Sequence, residues 1–146
     1  MSNCRVLFVC LGNICRSPAA ESIFLNKIHL KGIQDQFVVD SAGTGAWHVG
    51  SPADLRMRSS AKKRGLKISS IARQIEIDDL RKFNKILTMD KQNYADLKQL
   101  AFENGISVKE KLDPILNYAC STRLTEVPDP YYGGEDGFDV VLDLLE

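Results

Sequence analysis

A single nine-residue segment gathers most of the reactive side chains in this chain of 146 residues: Val9-Cys10-Leu11-Gly12-Asn13-Ile14-Cys15-Arg16-Ser17. It ends on Ser17-Pro18, a pair suited to open a helix, with Ser as the cap and Pro as the first helical residue. A short Gly-containing loop running into a helix N-terminus turns several backbone N–H groups toward one point, and the helix dipole favours an anion there. The same field favours the thiolate of a cysteine at the head of the loop, here Cys10. Arg16 supplies a planar fork able to grip two oxygens of a phosphate. Ser17 can cap the helix and also donate toward Cys10 or a departing group. A thiolate nucleophile, a nest for phosphate oxygens and a bidentate arginine together describe phosphoryl transfer through a phosphocysteine intermediate. A plainer reading stays open, a buried cysteine beside an arginine that pairs with a surface acid, but it leaves the loop-to-helix setting unexplained.

Holding such a loop takes a strand before it and a helix after it. Val6 to Val9 is apolar and rich in β-branched and aromatic residues, and reads as a fully buried strand. In the helix that follows, Ala20, Ile23, Phe24 and Ile28 keep one apolar face, and Gly32 is a natural stop. Phe37 to Asp40 reads as a second strand, followed by a loop from Gly43 to Gly50. Ser51-Pro52-Ala53-Asp54 reads as another helix start, with Asp54 completing a capping-box-like pair. Lys85 to Met89 reads as a third strand; Asp90 caps a helix carrying Tyr94, Leu97, Leu100 and Ala101 that stops near Gly105. A weaker strand is expected around Val108 to Leu112, and a last helix carries Phe138, Val141, Leu142 and Leu145 on one side. Strands alternating with helices imply a parallel sheet covered on both faces, with ligands bound beyond the carboxyl ends of strands at the topological switch point. The Cys10–Arg16 loop lies at such an end.

Composition narrows the class. The length fits one domain over residues 1–146, the 44% apolar content can fill its core, and 26% charged residues suit a soluble surface. The longest apolar run, Val6 to Leu11, has six residues, too few for a membrane span or for a signal peptide's apolar region. The expected address is the cytoplasm, with no membrane partner. The zero net charge hides a split: residues 1–75 sum to +7 and residues 76–146 to −7. A basic half could attract phosphates or nucleic acid, but two complementary faces of one fold explain it as well, and no nucleic-acid partner is expected. The four cysteines (Cys4, Cys10, Cys15, Cys120) are too sparse for a disulfide scaffold. With no CxxC and only His29 and His48, the spacing of a structural zinc site is missing, so no metal is expected.

Five segments, taken in order, resemble the low molecular weight protein tyrosine phosphatases: VCLGNICRSPAAE at 9–21, DSAGTGAWHVG at 40–50, ARQI at 72–75, TMD at 88–90 and DPYY at 129–132. They run the length of the chain and are far more specific than a Cys and an Arg six apart. The resemblance implies an α/β fold with a four-stranded parallel sheet, a flavodoxin-like, Rossmann-like three-layer sandwich. It implies cofactor-free and metal-free hydrolysis of phosphotyrosine in proteins or peptides and of small aryl phosphates, with inorganic phosphate or vanadate as inhibitors. It makes Cys10 the nucleophile, Arg16 the transition-state clamp and Asp129 the general acid. Leu11, Gly12, Ile14 and Cys15 complete the phosphate loop, while Asn13, Ser17 and Ser41 hold it in shape. Trp47, Tyr131 and Tyr132 line the crevice for the phenyl ring. Cys15 is implied as the partner that traps oxidised Cys10 in a disulfide, although free cysteines are often simply packed residues. Ser70 stands where several family members carry a His that helps hold the loop Asn, and the last helical pattern runs to Glu146 where relatives often continue for another turn or two.

The role for Asp129 also makes physical sense. A phenolate is a poor leaving group at neutral pH, so a positioned carboxylic acid should protonate it and later activate water. Pro128 and Pro130 stiffen the segment and fix where that carboxyl points. An ordinary turn Asp in an acidic tail, and Trp47 as a core residue, are the bland alternatives. Four rival functions stand against the phosphatase reading. A thiol-dependent arsenate reductase would need further relay cysteines; a phosphotyrosine-binding module would need no acid; and a nucleotide P-loop fails because Gly45 and Gly50 are followed by Ser51-Pro52 with no Lys. A Cys-His protease would need His29 or His48 beside Cys10, and neither carries a supporting signature.

Overall fold

The apolar run near the N-terminus forms β1 (Cys4–Cys10), with Leu7 and Val9 facing one side of the sheet and Val6, Phe8 and Cys10 the other. This computed structural model describes residues 3–119, 124, 126–131 and 136–146, so Cys120 and Tyr132 lie outside the described residues. β1 has parallel neighbours on both edges, β2 (Phe37–Gly43) and β3 (Lys85–Thr88), and β4 (Leu112–Pro114) extends the sheet beyond β3. The order is β2-β1-β3-β4. A strand with neighbours on both edges and helices over both faces must be apolar throughout, which explains why β1 does not alternate with polar residues.

Among the described residues five α-helices cover the sheet: α1 (Arg16–Leu30), α2 (Leu55–Lys62), α3 (Ile77–Lys82), α4 (Lys91–Glu103) and α5 (Asp136–Leu145). Ala19, Ala20 and Ile23 of α1, Met57 and Ala61 of α2, and Phe138, Val141 and Leu142 of α5 pack with Val6, Phe8 and Cys10. Leu80 of α3 and Leu97 and Ala101 of α4 pack with Leu7, Val9 and Ile86. The result is the three-layer α/β sandwich. From β1 the chain passes through α1 to β2 on one side, then crosses back over β1 to β3 on the other. The carboxyl end of β1 is therefore the switch point, where no helix covers the strand end and a loop can form a binding crevice.

Several expected boundaries move. Ser17 is not the cap of α1: Cys15 holds that position without a side-chain bond, and Ser17 is the second residue of the helix, its hydroxyl turned to Cys10. Asp54, expected as the far member of a capping box, is itself the cap of α2 and accepts from the Arg56 amide at 2.8 Å. Asp90 caps α4 as expected, in a reciprocal box with Asn93. The weak strand expected at Val108–Leu112 is displaced: the Lys111 and Leu112 amides both donate to the Val108 carbonyl in a turn, and pairing with β3 begins only at Leu112. Helix α3 and the 3-10 turn at Ile115–Tyr118 were not signalled by the sequence pattern.

Candidate active site

Cys10 ends β1 and is almost fully buried, so its sulfur forms the floor of whatever the next residues enclose. The loop folds back over it. The Asn13 amide donates to Cys10 Sγ at 3.2 Å, and Ser17 Oγ stands 3.0 Å from the same sulfur. Asn13 has φ +58°, the only left-handed non-glycine among the described residues. Asn tolerates this region better than most residues because its short polar side chain can bond locally. Here Nδ2 donates to Ser17 Oγ at 2.8 Å and Oδ1 accepts from the Arg73 amide at 3.0 Å. Ser70 plays no part in that tether; its hydroxyl is buried with no hydrogen-bond partner. Ser41 Oγ donates to Glu21 Oε1 of α1 at 2.5 Å, so its hydroxyl braces that helix and is not directed at the loop. Burial pushes the Glu21 carboxyl up, and the Ser41 bond opposes the shift.

Two glycines let the backbone close in. A Cβ at Gly43 would stand 2.7 Å from the Leu11 carbonyl oxygen and 3.1 Å from the Gly12 carbonyl carbon, both main-chain atoms that cannot swing away. The same stretch is laced to the loop, the Thr44 amide donating to the Cys10 carbonyl and the Gly45 amide to that of Leu11, each at 2.9 Å.

Arg16 opens α1 and is 2% exposed. Its Nη1 donates to Asp90 Oδ2 at 2.5 Å and to the Val127 carbonyl at 3.1 Å, while Nη2 stands 3.7 Å from Asp129 Oδ2. Burial alone would weaken the guanidinium's hold on its proton, but Cys10, Asp90 and Asp129 raise it further than burial lowers it. Asp129 Oδ1 accepts from the Tyr131 amide at 3.0 Å, which fixes the carboxyl across the crevice from the thiol. Arg56 steadies this segment: it donates to the Tyr131 carbonyl at 3.0 Å, lies 5.4 Å over the Tyr131 ring, and is bound by both oxygens of Asp54.

These groups line one cleft of about 340 Å³, walled by Cys10, Leu11, Gly12, Ile14, Cys15, Arg16, Trp47, His48, Asp129 and Tyr131. The sequence of the whole chain from residue 5 to residue 146 matches the family described as low molecular weight phosphotyrosine protein phosphatase. The chain belongs to that family. A low molecular weight protein-tyrosine-phosphatase of Bacillus subtilis is 41% identical over 97% of this chain and 88% of its own. The low molecular weight phosphotyrosine protein phosphatase of Schizosaccharomyces pombe is 40% identical over 99% and 92% respectively. A crystal structure of a protein tyrosine phosphatase from Entamoeba histolytica, with Hepes in its active site, superposes with a TM-score of 0.93 at 43% identity, covering 99% of this chain and 90% of that one. This phosphatase is accordingly a cysteine-dependent hydrolase of phosphotyrosine with a flavodoxin-like fold.

Within the phosphatase, nine residues singled out from sequence share the cleft, and Asn13 and Ser17 support it from beneath. Ser41 stands back against α1, and Trp47 is not core but 75% exposed at the mouth. Cys15 is buried; burial first, then the negative Asp54, Cys10 and Asp129, push its thiol well above the ordinary range. The sequence reading missed His48 as a wall of the cleft, its ring 5.6 Å from that of Tyr131 and packed on Gly12. It also missed Asp90 as the partner of Arg16. The TMD segment was the available signal, since it leads from β3 to a carboxylate at the same carboxyl end of the sheet as Cys10.

Proposed function

We propose that this enzyme cleaves phosphotyrosine in proteins or peptides, and small aryl phosphates, by passing the phosphoryl group through Cys10. The observation that carries the reading is what gathers at one sulfur: a loop amide at 3.2 Å, the Ser17 hydroxyl at 3.0 Å, and the charge of a buried Arg16 that also reaches Asp90, the Val127 carbonyl and Asp129. The Cys10 thiolate attacks phosphorus, the P–O bond to the ring breaks, and the Asp129 carboxyl gives its proton to the departing phenolate. Water then gives a proton back to Asp129 as it attacks phosphorus, the S–P bond breaks, and inorganic phosphate leaves with the thiolate restored. Loop amides and Arg16 hold the equatorial oxygens through both steps, where their worth is greatest because they are fixed before charge develops. Trp47, His48 and Tyr131 receive the phenyl ring, and Tyr132 is its proposed further neighbour. Phosphate and vanadate inhibit by occupying the same nest. Residues 1–146 act as one phosphatase domain, and the reducing cytoplasm suits its free nucleophilic thiol. Among the described residues no helix is long and apolar enough to cross a membrane.

The test is turnover of a small aryl phosphate in chelator-containing buffer by the parent and by Cys10→Ser. Full parent activity with chelator, and none in the variant, is expected. A metal requirement, or a Cys10→Ser protein that still turns over, overturns the mechanism.

A further inference from the structure

The left-handed Asn13 is held by a backbone amide that lies 60 positions away in sequence, that of Arg73. That amide is itself held with unusual thoroughness. The Arg73 carbonyl accepts from the Gly43 amide at 2.8 Å, the Ile75 amide donates to the Gly43 carbonyl at 2.8 Å, and Ala72 is bonded on both sides to Gly50 and Ser51. The Arg73 side chain then ties the segment to two further elements. Its Nη1 and Nη2 form a fork on Asp79 of α3, at 2.8 and 3.2 Å, and Nε and Nη2 reach Asp40 Oδ2 of β2, at 3.2 and 3.0 Å. The Asp79 side chain is 1% exposed and its Oδ2 also accepts the Glu76 amide at 2.7 Å. Among the described residues the other cation paired with it is Lys82, at 3.7 Å, so removing the guanidinium leaves a buried carboxylate poorly paired. A two-oxygen fork fixes the direction of a guanidinium as well as its position.

We propose that Arg73 is a positioning residue for the phosphoryl transfer: clamped between Asp40 and Asp79, it fixes the amide that keeps Asn13 left-handed, and through Asn13 it fixes the loop. The link to chemistry is direct, because φ of Asn13 is the rotation about the very N–Cα bond whose amide donates to Cys10 Sγ. A turn about that bond swings the amide off the sulfur and off the oxygens of the transferring group. The proposal rests on the reading of the Cys10 loop given above. Its signature is a loss in the transition state more than in the ground state.

The experiment compares Arg73→Met, which keeps the aliphatic stem, with Arg73→Lys, Asp40→Asn and the parent, with rates expressed per titratable Cys10. Arg73→Met is expected to lower kcat roughly tenfold to a hundredfold with KM within about twofold, the scale of a small misplacement at the reacting centre. Vanadate, which adopts the transition-state geometry, should weaken by about the same factor as kcat falls, and phosphate by no more than about threefold. Arg73→Lys, keeping charge without the fork, should fall between Met and the parent. An unchanged kcat per active site, or equal weakening of vanadate and phosphate, overturns the proposal. Should Arg73→Met not fold, Asp40→Asn decides by the same ratio, since Asp40 is 44% exposed and leaves the Asp79 fork in place. Cys10→Ser run alongside separates the two readings: residual turnover there refutes the loop mechanism, whereas its loss with a normal Arg73→Met refutes the clamp alone.

Discussion

Asp129 Oδ1 accepts from the Tyr131 amide, so in the proposed mechanism it is Oδ2, the oxygen on the Arg16 side, that would pass the proton to the leaving group. Removing it should hurt in proportion to the leaving group's need. Tyrosine's phenol has a pKa near 10, while a strongly electron-withdrawn phenol departs unprotonated. Asp129→Asn is therefore expected to lose about 10²–10⁴-fold on phosphotyrosine peptides and clearly less on activated aryl phosphates, with burst kinetics isolating phosphoenzyme formation. Equal slowing on both substrates would reduce Asp129 to a shaper of the crevice. At this scale the sequence was most legible where the chemistry is contiguous. Cys10, Asn13, Arg16 and Ser17 fall within eight residues of one another, whereas Asp90, His48 and Arg73 reach the loop from the cap of α4, the loop after β2 and the ARQI segment. All three fall in segments that carry the family resemblance, but their spacing along the chain does not say what they touch; tertiary contact does.

Among the elements, those with a strong internal signal were read correctly. The unbroken apolar run gave β1, and the Asp90 cap with its helical apolar spacing gave α4. Short elements were not legible: α3 has six residues and β4 three, one of them Pro114, and each exists because the sheet or its flanks supply partners. The end of β2 shows how an element serves the site. Gly43 has an ordinary negative φ, so Ala there is conformationally permitted and fails only by collision with the Leu11 and Gly12 backbone. Gly43→Ala is expected to cut kcat on activated and poor leaving groups alike. Gly32 is the opposite case, φ +68° with open space around it. Gly32→Ala should cost roughly 1 kcal/mol of stability and leave kcat untouched. Melting curves beside steady-state rates separate the two outcomes, and a Gly43→Ala enzyme of normal kcat would mean the loop does not need that close approach.

Across the whole molecule, charges join elements that hydrophobic packing alone would leave free to slide. Arg64 at the end of α2 reaches Asp139, Asp143 and Glu146 of the C-terminal segment, an exposed set, while Arg73 joins β2 to α3 around the buried Asp79. Burial would raise the Asp79 carboxyl, but the Arg73 fork and the Glu76 amide overcome it and hold the group below the usual carboxylate range. A depressed folded value means the bonus is complete above the unfolded pKa, about 3.9, and is lost as pH falls through the lower folded value. Asp79→Asn is expected to melt lower than the parent at pH 6 and to lose less between pH 5 and pH 3. Parallel acid limbs in thermal denaturation would show that the linkage lies elsewhere.

The strand order β2-β1-β3-β4 has a consequence for how such a catalyst can diverge. The cradle for the phosphoryl group is tuned from the β2 side, through Gly43 and the Arg73 amide on Asn13. The guanidinium and the proposed proton donor, Asp129, are held from the β3 side, Arg16 reaching Asp90, the Val127 carbonyl and Asp129 itself. Inheritance of the two halves is thereby decoupled: drift in the segment around 126–131 can retune which leaving groups are served while the anion cradle stays intact. Substitutions in that segment are therefore expected to change leaving-group preference before they disturb the contacts that shape the cradle.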